Sequence, residues 1–204
     1  MKLFYSTNIN PRVAVATARF LKSPVDLIQP DRADAAQMAD IKRLNPNGLY
    51  PILVEDDGSS LWETDAIACR LSALAGSDFW RTGVEMPNMI RWVSWANIHL
   101  NRAADMVMWE RVTKQRYNMG AVDQGGVEEG LAGFHAHMPV LDGALARQAW
   151  LCGDHISFAD FRVGTVLRYH EEAGLPLADY PHVSAWHERL MQIPAWSDTF
   201  SGLA

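Results

Sequence analysis

Three short stretches carry side chains and backbone suited to chemistry. The first is Ser6-Thr7-Asn8-Ile9-Asn10-Pro11, hydroxyls and amides set just ahead of an apolar, helix-prone run. Such donors at a helix start, where the first N–H groups lack intrahelical partners, favour a negative charge. The second is Asn45-Pro46-Asn47-Gly48-Leu49-Tyr50-Pro51-Ile52-Leu53. Its turn dipeptides lead into a strand that opens on proline, which is tolerated only at an edge, bulge or bend. The Tyr50-Pro51 bond is a candidate for the cis isomer. A bend there would let the backbone of Tyr50 pair with an extended peptide instead of a neighbouring strand. The third is Leu61-Trp62-Glu63-Thr64-Asp65-Ala66-Ile67. Glu63 and Thr64 open a helix running to about Leu74, and an acid, a hydroxyl and helix-start N–H groups together form a site for a carboxylate.

The surrounding elements must hold these stretches. Lys2-Leu3-Phe4-Tyr5 reads as a strand, with the Tyr5 ring in the core or an interface. Asn10 is a natural N-cap and Pro11 suits a first helical turn. Val13, Ala14, Ala16, Ala18 and Leu21 give a helical run, and Val25-Asp26-Leu27-Ile28 a second strand. Strand, helix and strand so close together imply a parallel pair with a right-handed crossover. A second helix runs from about Ala33 to Leu44, ahead of the Asp56–Ser59 hairpin and the helix opened by Glu63. The order is βαβ, α, ββα. The expected division is residues 1–76 as an α/β domain, 77–86 as a linker and 87–204 as an all-helical domain.

In the helical part, Met89, Trp92, Val93, Ala96, Leu100, Ala104, Val107 and Met108 recur at three- and four-residue steps, predicting an amphipathic helix from Met86 to about Arg116, bent or broken near Asn101. Gly120–Gly126 reads as a loop, and Val127 to about Ala146 as a helix. Ser157-Phe158-Ala159-Asp160 is a capping box with Asp for the usual Glu. A last helix runs from Val183 to about Ile193. His135 and His137, two apart on a helix, face away from each other, so no metal site is expected. Asp123, Glu128 and Glu129 read as solvated surface.

The composition, 49% hydrophobic and 21% charged, is that of an ordered globular protein, and a formal net charge of -6 argues against nucleic acid as a partner. No apolar run is long enough to cross a bilayer, the first residues lack a signal-peptide design, and the expected compartment is the cytoplasm. Cys69 and Cys152 read as buried small hydrophobes.

The pattern N-P-x-G-x-x-P-x-L, a hairpin, then L-x-E-[ST]-x-A-I resembles the glutathione-binding half of the glutathione transferase family. The run G-x-x-x-S-x-A-D ending at Asp160 resembles the capping box of that family's helical domain, a folding element. The tail from Tyr180 to Leu190 with Pro194 is also similar. The resemblance thus spans the chain and implies a thioredoxin-like N-terminal domain followed by an all-helical one. It implies Pro51 as the cis-proline, Tyr50 as backbone partner of the cysteinyl unit, and Glu63 and Thr64 as holders of the γ-glutamyl end. The family's thiol-activating hydroxyl falls on Thr7, with Ser6, Asn8 and Asn10 as neighbouring donors. The absence of Cys from this loop argues against the family's Cys-dependent chemistry.

The resemblance further implies a glutathione transferase activity, with glutathione as co-substrate, peroxidase chemistry as a side activity, and a homodimeric state. An apolar electrophile would lie against the helix carrying Trp92, Trp95 and His99 and its continuation Met106–Trp109. Two departures stand out: Leu49 where relatives often place Lys or Gln, and Tyr50 for a small aliphatic residue. The Tyr-Ser-Thr-Asn loop and the Arg91–Ala96 helix also resemble the transferase-like domain of the elongation factor one gamma subunit. That likeness implies the alternative of a non-catalytic glutathione-binding or protein-interaction module.

Overall fold

In the computed structural model, which describes residues 1–31 and 33–203, the chain divides into two compact units. One comprises Met1–Trp80 with Ile193–Ala204, the other Arg81–Gln192. Arg32 and Ala204 lie outside the described residues.

The first unit is built on strands β1 (Lys2–Phe4), β2 (Asp26–Ile28), β3 (Ile52–Val54) and β4 (Ser60–Trp62) in the order β2-β1-β3-β4. β1 runs parallel to β2 and antiparallel to β3, and β3 runs antiparallel to β4. The register lines up Leu27, Leu3, Leu53 and Leu61 across the sheet. Because side chains alternate along a strand, one such row commits a whole face to the core. Leu3 and Leu53 pack there with Ala14, Val15 and Ala18 of α1 (Ile9–Phe20) and Ile67 and Leu71 of α3 (Thr64–Leu74). Helix α2 (Ala35–Leu44) is capped by Asp34, which accepts from the N–H groups of Ala36 and Gln37. This is the thioredoxin-like order.

The start of α1 differs from expectation. Its N-cap is Asn8, extended at φ -70° and ψ 163°, and Asn10 and Pro11 lie inside the first turn. Proline fits there because the N–H it lacks would have no intrahelical acceptor.

The second unit is helical. α4 (Met86–Trp95), α5 (Asn101–Met108) and α6 (Lys114–Tyr117) form one rod interrupted by π-helical turns at Ala96–Leu100 and Trp109–Thr113. The predicted break near Asn101 is the first of these turns. A π turn inserts one residue and rotates the face beyond it. α7 spans Gln124–Leu145, three residues earlier than the sequence pattern suggests. The cause is Asp123, exposed as expected and also the N-cap: its carboxylate accepts from Gly125 N–H at 3.0 Å, while its own N–H donates to Glu110 at 2.7 Å. Helices α8 (Phe158–Leu167), α9 (His170–Ala173) and α10 (Pro181–Met191) come next, and α11 (Pro194–Ser197) returns the chain to the first unit. α10 begins at Pro181 rather than Val183, as proline at the first helical position permits.

Asp160 is fully buried and accepts from Ser157 N–H and Leu151 N–H, both at 2.9 Å, and from the Trp186 indole at 3.0 Å. The capping box therefore ties α8 to α10. Cys69 and Cys152 are unpaired and only partly buried, less so than expected, and burial raises both thiol pKa values. Among the described residues no helix is long and apolar enough to cross a membrane.

Candidate functional site

The loop from β1 into α1 presents two hydroxyls in different settings. Ser6 is buried and its Oγ has no hydrogen-bond partner among the described residues. Thr7 is exposed. Asn8 makes no side-chain cap bond, while its carbonyl accepts from Arg12 N–H at 3.0 Å. Tyr5 is a core residue: its ring stacks on Phe200 at 5.6 Å, and desolvation raises the phenol above its ordinary pKa.

The Tyr50–Pro51 peptide bond is cis. Tyr50 lies just before β3, whose pairing with both neighbours begins at Ile52. The turn ahead of it is fixed by Asn45, which is 3% exposed. The Asn45 amide donates to the Leu49 carbonyl at 2.8 Å, and its oxygen accepts from Asn47 N–H at 3.1 Å. The sequence marks Asn45 only as a turn residue. A short amide side chain can mimic a backbone turn, so that signal is local, but its burial is not legible without the fold.

Glu63 occupies the N-cap position of α3 at φ 74° and ψ 128°, without a side-chain cap bond, a sparsely populated positive-φ conformation that costs a non-glycine residue roughly 1–3 kcal/mol. Strain of this kind persists where the surroundings hold it, often at ligand sites. Thr64 comes next, 3% exposed, and its hydroxyl donates to the Asn10 carbonyl at 3.0 Å. This bond joins the start of α1 to the start of α3. It also engages the hydroxyl proton, and the Thr64 backbone N–H stands at the first position of its helix. Ser6, Thr7, Asn10, Tyr50, Pro51, Glu63 and Thr64 thus belong to one unit, with α1 and α3 stitched at their N-terminal ends.

In the helical unit, Trp92 is buried, Trp95 half-buried and His99 exposed. Trp92 and Trp95 meet edge to face at 5.4 Å. Trp95 and His99 both contact His137 of α7, at 6.2 and 5.0 Å between ring centres. The three residues therefore share one aromatic cluster on the side of the rod that faces α7.

The hydroxyl loop, the cis Tyr50–Pro51 bond and the start of α3 all lie in the first unit, and the aromatic cluster lies in the second. The family model for the glutathione S-transferase C-terminal domain matches residues 106–194. Glutathione S-transferase GstB of Escherichia coli is 28% identical over 93% of this chain and 91% of its own. FtsZ-localized protein A of Caulobacter vibrioides is 26% identical over 79% and 75%. The crystal structure of glutathione transferase F7 from Populus trichocarpa superposes with a TM-score of 0.88 at 20% identity, over 100% of this chain and 99% of that one.

Proposed function

Because the chain belongs to the glutathione transferase superfamily, we propose that it joins the glutathione thiolate to an electrophilic carbon of an apolar small molecule. The observation that carries this reading is the Thr64–Asn10 bond, which holds the loop of hydroxyls against the strained start of α3 in the unit containing the cis-proline. In this reading the γ-glutamyl carboxylate takes the first N–H groups of α3 beside Glu63 and Thr64. The cysteinyl backbone pairs with Tyr50 next to Pro51, and the sulfur lies toward Thr7.

A thiol of pKa ~8.5 needs about 2.7 kcal/mol of preference for its anion to reach a pKa two units lower. A hydrogen bond to a charged acceptor contributes about 1.5–3 kcal/mol, and a helix N-terminus about 0.3–1 kcal/mol. One hydroxyl at the head of α1 is therefore nearly enough. Thr7, being exposed, donates to the sulfur; Ser6, Asn8 and Asn10 line the same loop. The thiolate forms a carbon–sulfur bond as the electrophile loses its leaving group or accepts a proton. With a hydroperoxide, the same thiolate would take the terminal oxygen, breaking the O–O bond to release the alcohol and leave a sulfenic acid, and the thiol of a second glutathione would displace its hydroxyl as water to form the disulfide. The second substrate would lie against Trp95 and His99, with the buried Trp92 packed behind them. No step needs a metal. The protein would act as a cytoplasmic homodimer, with neither nucleic acid nor membrane as partner.

Calorimetric titration with glutathione, paired with turnover of a chloronitroaromatic, tests the reading. Thr7→Ala is expected to lower kcat tenfold or more, raise the apparent pKa of the bound thiol and leave glutathione affinity nearly unchanged. Absence of heat at millimolar glutathione would remove the proposal. One comparison favours a second reading: a relative is named for its localisation to FtsZ, not for transfer. A non-catalytic module predicts no turnover in the wild type, with a protein partner co-purifying.

A further inference from the structure

His135 and His137 leave α7 in different directions. His135 Nδ1 lies 2.8 Å from the Tyr180 hydroxyl, while His137 turns toward His99 on the π turn Ala96–Leu100. The two imidazole centres are 5.0 Å apart with their planes at 48°. A ring nitrogen binds zinc at about 2.0–2.1 Å and the ring centre lies about 1.1 Å farther, so two imidazoles on one ion at roughly 90–110° have centres about 4.5–5.1 Å apart. The observed separation falls in that interval.

His99 is exposed, so water can reach the pair and complete a coordination shell. Among the described residues no group of three or more His, Cys, Asp and Glu could hold a metal ion, so the protein would contribute two ligands. We infer that His99 and His137 form a two-imidazole site for a borderline divalent transition ion of the zinc, nickel and copper class, clasping the π turn to α7. The inference does not depend on the transfer reaction.

A second histidine pair, His170 and His187, has ring centres 4.8 Å apart yet is unsuited to a cation. His170 Nδ1 is turned to the Leu167 carbonyl at 3.0 Å, His187 is 7% exposed, and the charge of Arg168 acts on it. It serves as the internal control.

The test is zinc chloride titrated calorimetrically into the full chain lacking any histidine tag. One ion per chain is expected. His99→Ala and His137→Ala should each weaken binding more than about tenfold, a loss exceeding 1.4 kcal/mol, whereas His135→Ala and His170→Ala leave it unchanged. Copper(II) should quench indole fluorescence in the wild type, and the quenched fraction should shrink in Trp95→Phe, because Trp95 meets the His137 ring. Far-UV circular dichroism checks folding. If His137→Ala does not fold, the exposed His99→Ala variant decides alone. No zinc uptake at millimolar concentration, or uptake that persists undiminished in His99→Ala, overturns the inference.

Discussion

Thr64 and His187 show how single buried polar groups set the behaviour of each unit. The Thr64 hydroxyl is committed to the Asn10 carbonyl. Thr64→Val keeps the shape and removes that bond. It should cost about 1 kcal/mol in chemical denaturation and raise the KM for glutathione several-fold; an unchanged KM would mean the two helix starts are aligned by packing alone. His187 is governed by burial. Desolvation, then His170 and Arg168, push its imidazole down to about 4, against an ordinary value of 6.5. A base whose folded pKa is depressed is held neutral by the fold. Its contribution is complete above pH 6.5 and is lost as the pH falls from there toward 4, by up to about 3 kcal/mol. Urea midpoints measured from pH 7.5 to 4.5 should fall steeply in the wild type and less so in His187→Gln; parallel curves would locate the acid sensitivity elsewhere.

At the level of elements, the approach of α5 and α7 is set by glycine. A Cβ at Gly130 would stand 2.7 Å from Val107 Cγ2 and 2.9 Å from the Ala103 carbonyl, and one at Gly133 would stand 2.9 Å from Ala103 Cβ. Gly143, farther along α7, has nothing within 4 Å. The two sites predict opposite signs for one substitution. Gly130→Ala should destabilise by about 1–3 kcal/mol through overpacking. Gly143→Ala should stabilise by about 0.5–1 kcal/mol through helix propensity. Equal shifts in thermal midpoint would contradict the contact argument. Periodicity shows that both helices exist, because each must bury one face. It cannot show the early start of α7, because two glycines stand close behind Asp123 and local propensity opposes a helix there. The contacts of Asp123 with Gly125 N–H and Glu110, the latter thirteen residues away, override it.

At the level of the whole molecule, the end of the chain is part of the first unit. Arg12 of α1 donates to the Trp196 carbonyl and lies over the Trp196 ring at 4.3 Å. Arg19 donates to the carbonyls of Thr199 and Ser201, both at 2.8 Å, and Phe200 stacks on Tyr5. A chain ending at Gln192 should lose about 3–5 kcal/mol, the scale of deleting one buried tryptophan. It should also bind glutathione more weakly, since α1 and Tyr5 frame the candidate loop. Differential scanning calorimetry with and without glutathione reads both effects. A truncated chain with wild-type stability would show that the segment is only an appendage.

By itself the sequence did not determine the short helices α9 and α11, but it determined the order of elements in the α/β part, the two fold classes, the proline-led strand, the capping box at Ser157 and the divergence of His135 from His137. Each of these comes from local spacing, turn chemistry or side-chain periodicity, which need no knowledge of distant neighbours. Only the tertiary structure decided that Asn8 and not Asn10 caps α1, that the Thr64 proton goes to Asn10, that Asn45 is buried under the cis-proline turn, and that His99 meets His137. Those outcomes depend on which groups meet across long stretches of chain. A single sequence specifies such contacts through the packing of the whole fold and carries no local mark of them.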